Sequence, residues 1–161
     1  TKSPGKIFLQ EKTDYIQRIN EALILGIRDY FQKTGFSKAT LGLSGGIDSA
    51  VTLVLAVQAL GAENVRVLLL PSKYSSDHSV EDARKLAENL GVRYDIVHIQ
   101  SAVDQFEQGL APLFKGLRPD VTEENIQARA RGVYLMAISN KFGNILLNTT
   151  NKSECAVGYG T

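Results

Sequence analysis

The chain has a single cysteine, Cys155, so no internal disulfide framework holds it together. A lone thiol suits a reducing compartment, and a cytoplasmic location is expected. Excess charge is missing as well: 18 Lys and Arg face 17 Asp and Glu, leaving +1. That balance argues against a nucleic-acid surface or a polyanion partner, yet a small anion needs only local charge. Long hydrophobic runs are also missing. The longest, Ala50 to Leu60, is interrupted by Thr52 and Gln58 and is too short to span a bilayer, so no membrane partner is expected. No signal-peptide pattern opens the sequence. What remains is 161 residues that are 43% hydrophobic and 22% charged, which is enough for one domain with a real core.

The most informative stretch is Leu41-Gly-Leu-Ser-Gly-Gly-Ile-Asp-Ser49. An apolar approach, a glycine-rich turn and a helical continuation describe a buried strand leading into a helix N-terminus. Backbone N–H groups in such a turn converge, and the helix adds partial positive charge, so Gly42 to Ser49 is a phosphate cradle. Gly45 and Gly46 allow close approach of an anion. Ser44 and Ser49 are expected to add hydroxyl donors. Asp48 is the unusual member. A carboxylate beside phosphates repels them unless a cation lies between, and Mg²⁺ takes one or two carboxylates together with phosphate oxygens. The loop therefore predicts a Mg²⁺-nucleotide and not phosphate alone. It is not a P-loop, because Ile47-Asp48 follows Gly46 where Lys-Ser/Thr would be needed. The spacing of Gly42, Gly45 and Gly46 does not fit the dinucleotide fingerprint.

The surrounding pattern alternates. Residues 1–12 read as a tether containing Pro4 and Gly5, and residues 13–161 as the domain. From Thr13, apolar residues at Ile16, Ile19, Leu23, Ile27, Tyr30 and Phe31 form a helical stripe that Gly35 ends. Strands are expected at Ala39–Leu43, Val65–Leu70, Val92–Ile99 and Asn144–Asn148. Helices are expected up to Leu60, from a cap in Ser79–Asp82 to Leu90, over Ala102–Phe114, and from a cap at Thr122 to Phe142. This order implies an α/β fold, a doubly wound parallel sheet with helices on both faces. Ligands in such sheets lie at the strands' carboxyl ends. Three polar loops fall there: Ser44–Ser49, Pro71–His78 and Thr149–Glu154. Glu154 is positioned by this reading to give the cation a second hard oxygen, and Thr149 to contact phosphate or ribose. Cys155 lacks a histidine partner for nucleophilic work, and His78 and His98 lack zinc-like spacing.

The Ser-Gly-Gly-x-Asp-Ser loop resembles that of the ATP pyrophosphatases, the PP-loop or adenine nucleotide alpha hydrolase-like fold. Two further segments narrow the resemblance: Asn-Ile-x-x-Arg-x-Arg at Asn125–Arg131 and Thr-x-Asn-Lys-Ser-Glu-x-x-x-Gly-Tyr at Thr149–Tyr159. Together, over Lys38 to Thr161, they look like NAD synthetase. The resemblance implies adenylation of the carboxylate of deamido-NAD by ATP and amidation by ammonia. It implies that Gly42, Leu43, Ser44, Gly45, Gly46, Ile47, Asp48, Ser49 and Thr149 hold ATP, with Ser44 and Asp48 closest to the chemistry. Asp48 and Glu154 would ligate Mg²⁺. Asn125, Arg129 and Glu154 would face deamido-NAD; Arg129 and Arg131 lie two apart on a helix, and the family match favours Arg129 as the one entering the site.

The Pro-Ser-Lys-Tyr-Ser-Ser loop, with Ser72 and Ser75 as ATP contacts, lacks the arginine of the short ammonia-dependent enzymes and resembles the glutamine-dependent branch. That implies a glutaminase domain upstream, ammonia drawn from glutamine, and a homo-oligomer. Family members continue past the Gly-Tyr segment, so residues 1–161 read as a piece that is incomplete at its C-terminus. Two rivals stay open at this point. One is another PP-loop enzyme, such as a GMP synthetase or a tRNA-thiolating enzyme, although the latter would want catalytic cysteines and a basic RNA face. The other is a nucleotide-binding module without turnover.

Overall fold

The computed structural model describes residues 7–73 and 75–158. Residues 1–6 of the expected tether, Tyr74 of the Pro71–Ser76 loop, and Tyr159 at the end of the third motif lie outside them. The elements run α1 (Ile7–Thr34), β1 (Ala39–Gly42), α2 (Ile47–Leu60), β2 (Val65–Leu69), α3 (Asp77–Asn89), β3 (Arg93–Ile96), α4 (Gln100–Leu110), α5 (Val121–Phe142), β4 (Ile145–Leu146) and α6 (Lys152–Ala156).

All four strands are parallel, in the order β3-β2-β1-β4. The alternation along β2 and just past its end explains why helices cover both faces. Val65, Val67 and Leu69 join Leu41, Leu53, Ala56, Ala83 and Ala87 in one apolar layer. Leu68 and Leu70 point the other way and join Ile99, Val103 and Ala130. A strand buried on both sides reads as a mostly apolar run, here interrupted only by Arg66, which pairs with Asp95 at 2.7 Å. Each fully buried Leu or Val contributes about 1.5–3 kcal/mol relative to exposure.

Several boundaries differ from the sequence expectation, each for a local reason. Helix α1 starts at Ile7, so it covers half of the expected tether. It packs on α2. Of its predicted stripe only Phe31 is fully buried, at 3% exposure, whereas Ile16, Ile19, Leu23 and Tyr30 are exposed. The contact turns instead on Arg28, whose Nε donates to the Ala59 carbonyl at 3.3 Å. Helix α3 is capped by Ser76, whose Oγ accepts the Ser79 N–H at 3.2 Å, so the cap precedes Ser79. Helix α4 stops at Leu110, two residues before Pro112, which has no N–H to continue the ladder. Helix α5 is capped by Asp120 in a reciprocal capping box with Glu123, not by Thr122. The segment after β4, read as a loop, contains the short helix α6, capped by Asn151 and Glu154. Strands β3 and β4 are shorter than expected.

β4 is held to β1 by more than its ladder. Asn144 Nδ2 donates to Thr40 Oγ1 at 2.8 Å, and Ser139 Oγ donates to the Asn144 carbonyl at 2.7 Å; all three residues are buried. Among the described residues no helix is long and apolar enough to cross a membrane.

Candidate active site

Strand β1 lies between β2 and β4. The chain runs from β1 to one side, through β2 and β3, and returns to the other with β4, so the crevice between β1 and β4 is the topological switch point. The loops following β1, β2 and β4 meet above it and enclose two adjoining concavities. One, of about 170 Å³, is lined by Ser44, Gly46, Asp48, Ser49, Thr149, Thr150 and Glu154. The other, of about 580 Å³, is lined by residues that include Gly42, Leu43, Leu70, Ser75, Ser76, Ser79, Arg131 and Leu135. Ser44 and Thr149 belong to both.

The β1–α2 turn is braced from inside. Gly46 N–H donates to Ser44 Oγ at 3.2 Å, Ser44 and Ser49 hydroxyls stand 3.1 Å apart, and Ser49 Oγ donates to the Gly46 carbonyl at 3.0 Å. Ser49 is 3% exposed, so its hydroxyl shapes the turn from within. Gly46 caps α2 without any side-chain hydrogen bond. The first N–H groups of α2 therefore lack partners within the helix and open on the smaller concavity, an arrangement suited to an anion. Gly45 has φ +82°, a conformation that needs glycine. Gly42 lets Leu135 approach: a Cβ there would lie 3.2 Å from Leu135 Cδ1.

Asp48 and Glu154, more than a hundred positions apart in sequence, line the same small concavity. The Asp48 side chain is exposed and makes no hydrogen bond among the described residues. Glu154 is half committed. Its Oε2 accepts the Asn151 N–H at 3.0 Å as part of the α6 cap, which fixes its rotamer and leaves Oε1 for another partner. No group of three or more His, Cys, Asp or Glu side chains arranged for a metal occurs among the described residues. Two carboxylates among hydroxyls and backbone amides suit Mg²⁺ completed by phosphate oxygens and water, and do not suit zinc.

Helix α5 separates its two arginines. Arg129 is exposed and lines neither concavity, and Asn125, one turn earlier, is half-buried and lines neither. Arg131 is the arginine of this helix that lines the larger cavity. Its Nε donates to the Leu70 carbonyl at 3.1 Å and its fork to Ser72 Oγ at 3.4 Å. Burial holds its guanidinium below the ordinary arginine value. No carboxylate among the described residues pairs with it. Of the two serines expected from the β2–α3 loop, Ser75 lines the cavity and its Oγ accepts the Ser72 N–H at 3.0 Å; Ser72 supports Arg131 from outside the lining. Ser76 and Ser79, at the start of α3, line the cavity although neither was expected at the site. The cap of α3 was read three residues late, which hid them.

Known proteins extend this geometry. The family model described as NAD synthase matches residues 19–161. A glutamine-dependent NAD(+) synthetase of Rhodobacter capsulatus is 56% identical over 146 residues, covering 91% of this chain and 26% of that protein. Among solved structures, a glutamine-dependent NAD+ synthetase from Acinetobacter baumannii in complex with ADP superposes with a TM-score of 0.86 at 53% identity, over 89% of this chain and 27% of that one. An NH3-dependent NAD synthetase from Campylobacter jejuni gives 0.81 at 36% identity, over 90% of this chain and 61% of that one. The chain thus spans about a quarter of the length of the curated relatives it matches. With the phosphate turn, Arg131 and the Thr149–Glu154 loop lining one switch-point crevice and the family model matching residues 19–161, the chain belongs to the NAD synthase family.

Proposed function

We propose that this chain is the adenylating part of an enzyme that converts deamido-NAD to NAD with ATP and ammonia. The observation that carries the reading is the joint lining of one small concavity by the phosphate turn, Asp48 and Glu154. Pyrophosphate would rest on the α2 N-terminus, against Gly45, Gly46, Ile47 and Asp48, with Ser44 and Thr149 at the seam leading to the larger cavity. The nucleoside half of ATP would occupy that cavity beside Leu43, Ser75 and Leu135. A solved relative described as holding ADP supports this assignment.

Asp48 and Glu154 would hold Mg²⁺, which supplies charge neutralisation for the departing pyrophosphate. In the first step a carboxylate oxygen of the substrate bonds to the α-phosphorus, the bond from that phosphorus to the bridging oxygen breaks, and pyrophosphate leaves. In the second, ammonia bonds to the acyl carbon, AMP leaves with the carbon–oxygen electron pair, and a proton is lost. The carboxylate is already ionised, so the first step needs no general base. The work of the fold is to position two anions and stabilise charge.

Asn125 and Arg129, four apart on one face of α5, remain the proposed contacts to the dinucleotide outside the nucleotide cavity. The nitrogen source of the intact protein is proposed to be glutamine, hydrolysed by a further domain. Relatives named as glutamine-dependent and about three and a half times the length of this chain support that. Homo-oligomerisation is proposed as well. Val133 and Met136 are exposed on α5, and an apolar face of that kind is suited to a second copy. A cytoplasmic location is proposed with it.

The test is isotope exchange between ATP and pyrophosphate in the intact protein. Exchange that requires both Mg²⁺ and deamido-NAD, followed by NAD formation on adding ammonia, is the expected result. ATP binding with no exchange in the presence of deamido-NAD would leave a nucleotide-binding module instead.

A further inference from the structure

A third concavity, of about 830 Å³, lies along the first turns of α5. Its walls include Asp120, Glu123, Glu124 and Gln127, and it shares one residue with the nucleotide cavity: Arg131. The two spaces therefore meet at a guanidinium. That group is half-buried and held in place by the Leu70 carbonyl and Ser72 Oγ, both neutral acceptors. A guanidinium carries five N–H donors and stays charged at any pH a protein survives. No carboxylate among the described residues stands within ion-pair distance of it, so the fork has donors left for an anion brought by a ligand.

We propose that Arg131 is the contact that brings the substrate's carboxylate to the α-phosphate, with the nicotinate ring seated in the acidic concavity beside it. This rests on the deamido-NAD reading above and adds to it where the reacting head lies. The chemistry of that head matches both walls. A nicotinate attached to ribose is a pyridinium that bears a carboxylate on the same ring. The cationic ring suits Asp120, Glu123 and Glu124. The carboxylate suits a planar fork fixed at the edge of the next cavity. The two reacting anions repel each other, and one cation touching both lowers that repulsion where the new bond forms. The assignment separates Arg131 from Arg129: the first orients the reacting group and the second holds the remainder of the dinucleotide.

The experiment uses the intact protein and three readouts: Mg²⁺-ATP affinity without dinucleotide, the maximal rate of deamido-NAD-dependent exchange, and the melting temperature. Arg131→Ala is expected to lower the exchange rate roughly 10²-fold, with ATP affinity changed by only about 2–3-fold. Guanidinium ion at concentrations that do not shift the melting temperature should restore exchange saturably. Urea, which is planar and similar in size but neutral, should not. A residue that merely braces the Leu70 carbonyl would lower ATP affinity and stability together, and neutral urea would serve as well as guanidinium or neither would act; that result overturns the proposal. If Arg131→Ala does not fold, Arg131→Lys takes its place. It keeps the charge and loses the fork, so the expected result is a rate about tenfold lower with ATP affinity retained; an unchanged rate overturns the proposal. No exchange in the wild-type protein overturns the deamido-NAD reading and this proposal with it. Wild-type exchange without guanidinium-specific rescue overturns this proposal alone.

Discussion

A Cβ placed on Gly45 would stand 2.4 Å from the carbonyl oxygen of Ser79, so the phosphate turn lies directly against the first turn of α3. The contact is backbone to backbone, and neither side has a flexible end that could move away. Gly45 also has φ +82°. Gly45→Ala is therefore opposed twice, by strain and by collision, and should cost about 1–3 kcal/mol. A lowered midpoint in urea unfolding, with ATP binding lost before stability is, is the expected outcome. Unchanged ATP binding in this variant would mean the turn is not where phosphate rests.

Asp48 gives the complementary case. Its side chain is exposed and bonds to nothing in the described fold, so Asp48→Asn should leave stability within about 0.5 kcal/mol of the parent. In the intact protein Mg²⁺-dependent exchange should nevertheless disappear. Activity that survives in Asp48→Asn would remove Asp48 from the cation site and leave Glu154 without its partner.

The cap of α5 predicts a pH dependence. The Thr122 hydroxyl and then the Thr122 backbone N–H hold the Asp120 carboxylate below its ordinary range, against a weaker opposing effect of desolvation. A carboxylate depressed in the folded state contributes stability that is fully present above its unfolded value, about 3.9. That contribution is lost as pH falls through the lower folded value. The melting-temperature gap between the parent and Asp120→Ala should thus be widest near neutrality and close below about pH 4. A gap that stays constant down to pH 2.5 would show that charge plays no part in the cap.

Leu53 is 0% exposed in the layer that joins α2 to β1 and β2. Leu53→Ala should cost about 2–5 kcal/mol. Because α2 carries the phosphate turn at its start, ATP affinity should fall along with stability. Loss of stability with full affinity would show that the turn holds its shape without the helix docking behind it.

How much of this could be read from the residues depended on what each signal measures. The β1 turn was legible because glycine spacing and an apolar approach are local properties. Strand β2 was legible because burial on both faces leaves an apolar run interrupted only by Arg66. Caps were less so: Ser76 and Ser79 are equally good capping residues, and only the fold shows that Ser76 Oγ takes the bond. Helix α6 was missed because five residues carry too little periodicity to announce a helix, although Asn151 and Glu154 have capping-box spacing. Which arginine of α5 would line the nucleotide cavity was not legible, because two residues on a helix separate faces without saying which face meets the sheet. That depends on how Ala130 and Ile138 seat α5 against Leu68 and Leu70.

The switch-point crevice has a consequence for the order in which the site assembles. Its phosphate half depends on residues near position 45 and its acidic partner on residues near 154, and the strand leading to that partner has only two residues in the ladder. Docking of that strand leans on the Ile145 N–H to the Lys38 carbonyl, the Leu147 N–H to the Thr40 carbonyl, and the Asn144–Thr40 side-chain bond. A chain emerging from the ribosome would possess a finished anion cradle long before it possessed Glu154. The cation-binding half should be the last part of the domain to lock and the first to exchange its amide protons, and ATP with Mg²⁺ would act as a clasp that protects the Leu147–Glu154 amides far more than those of β2.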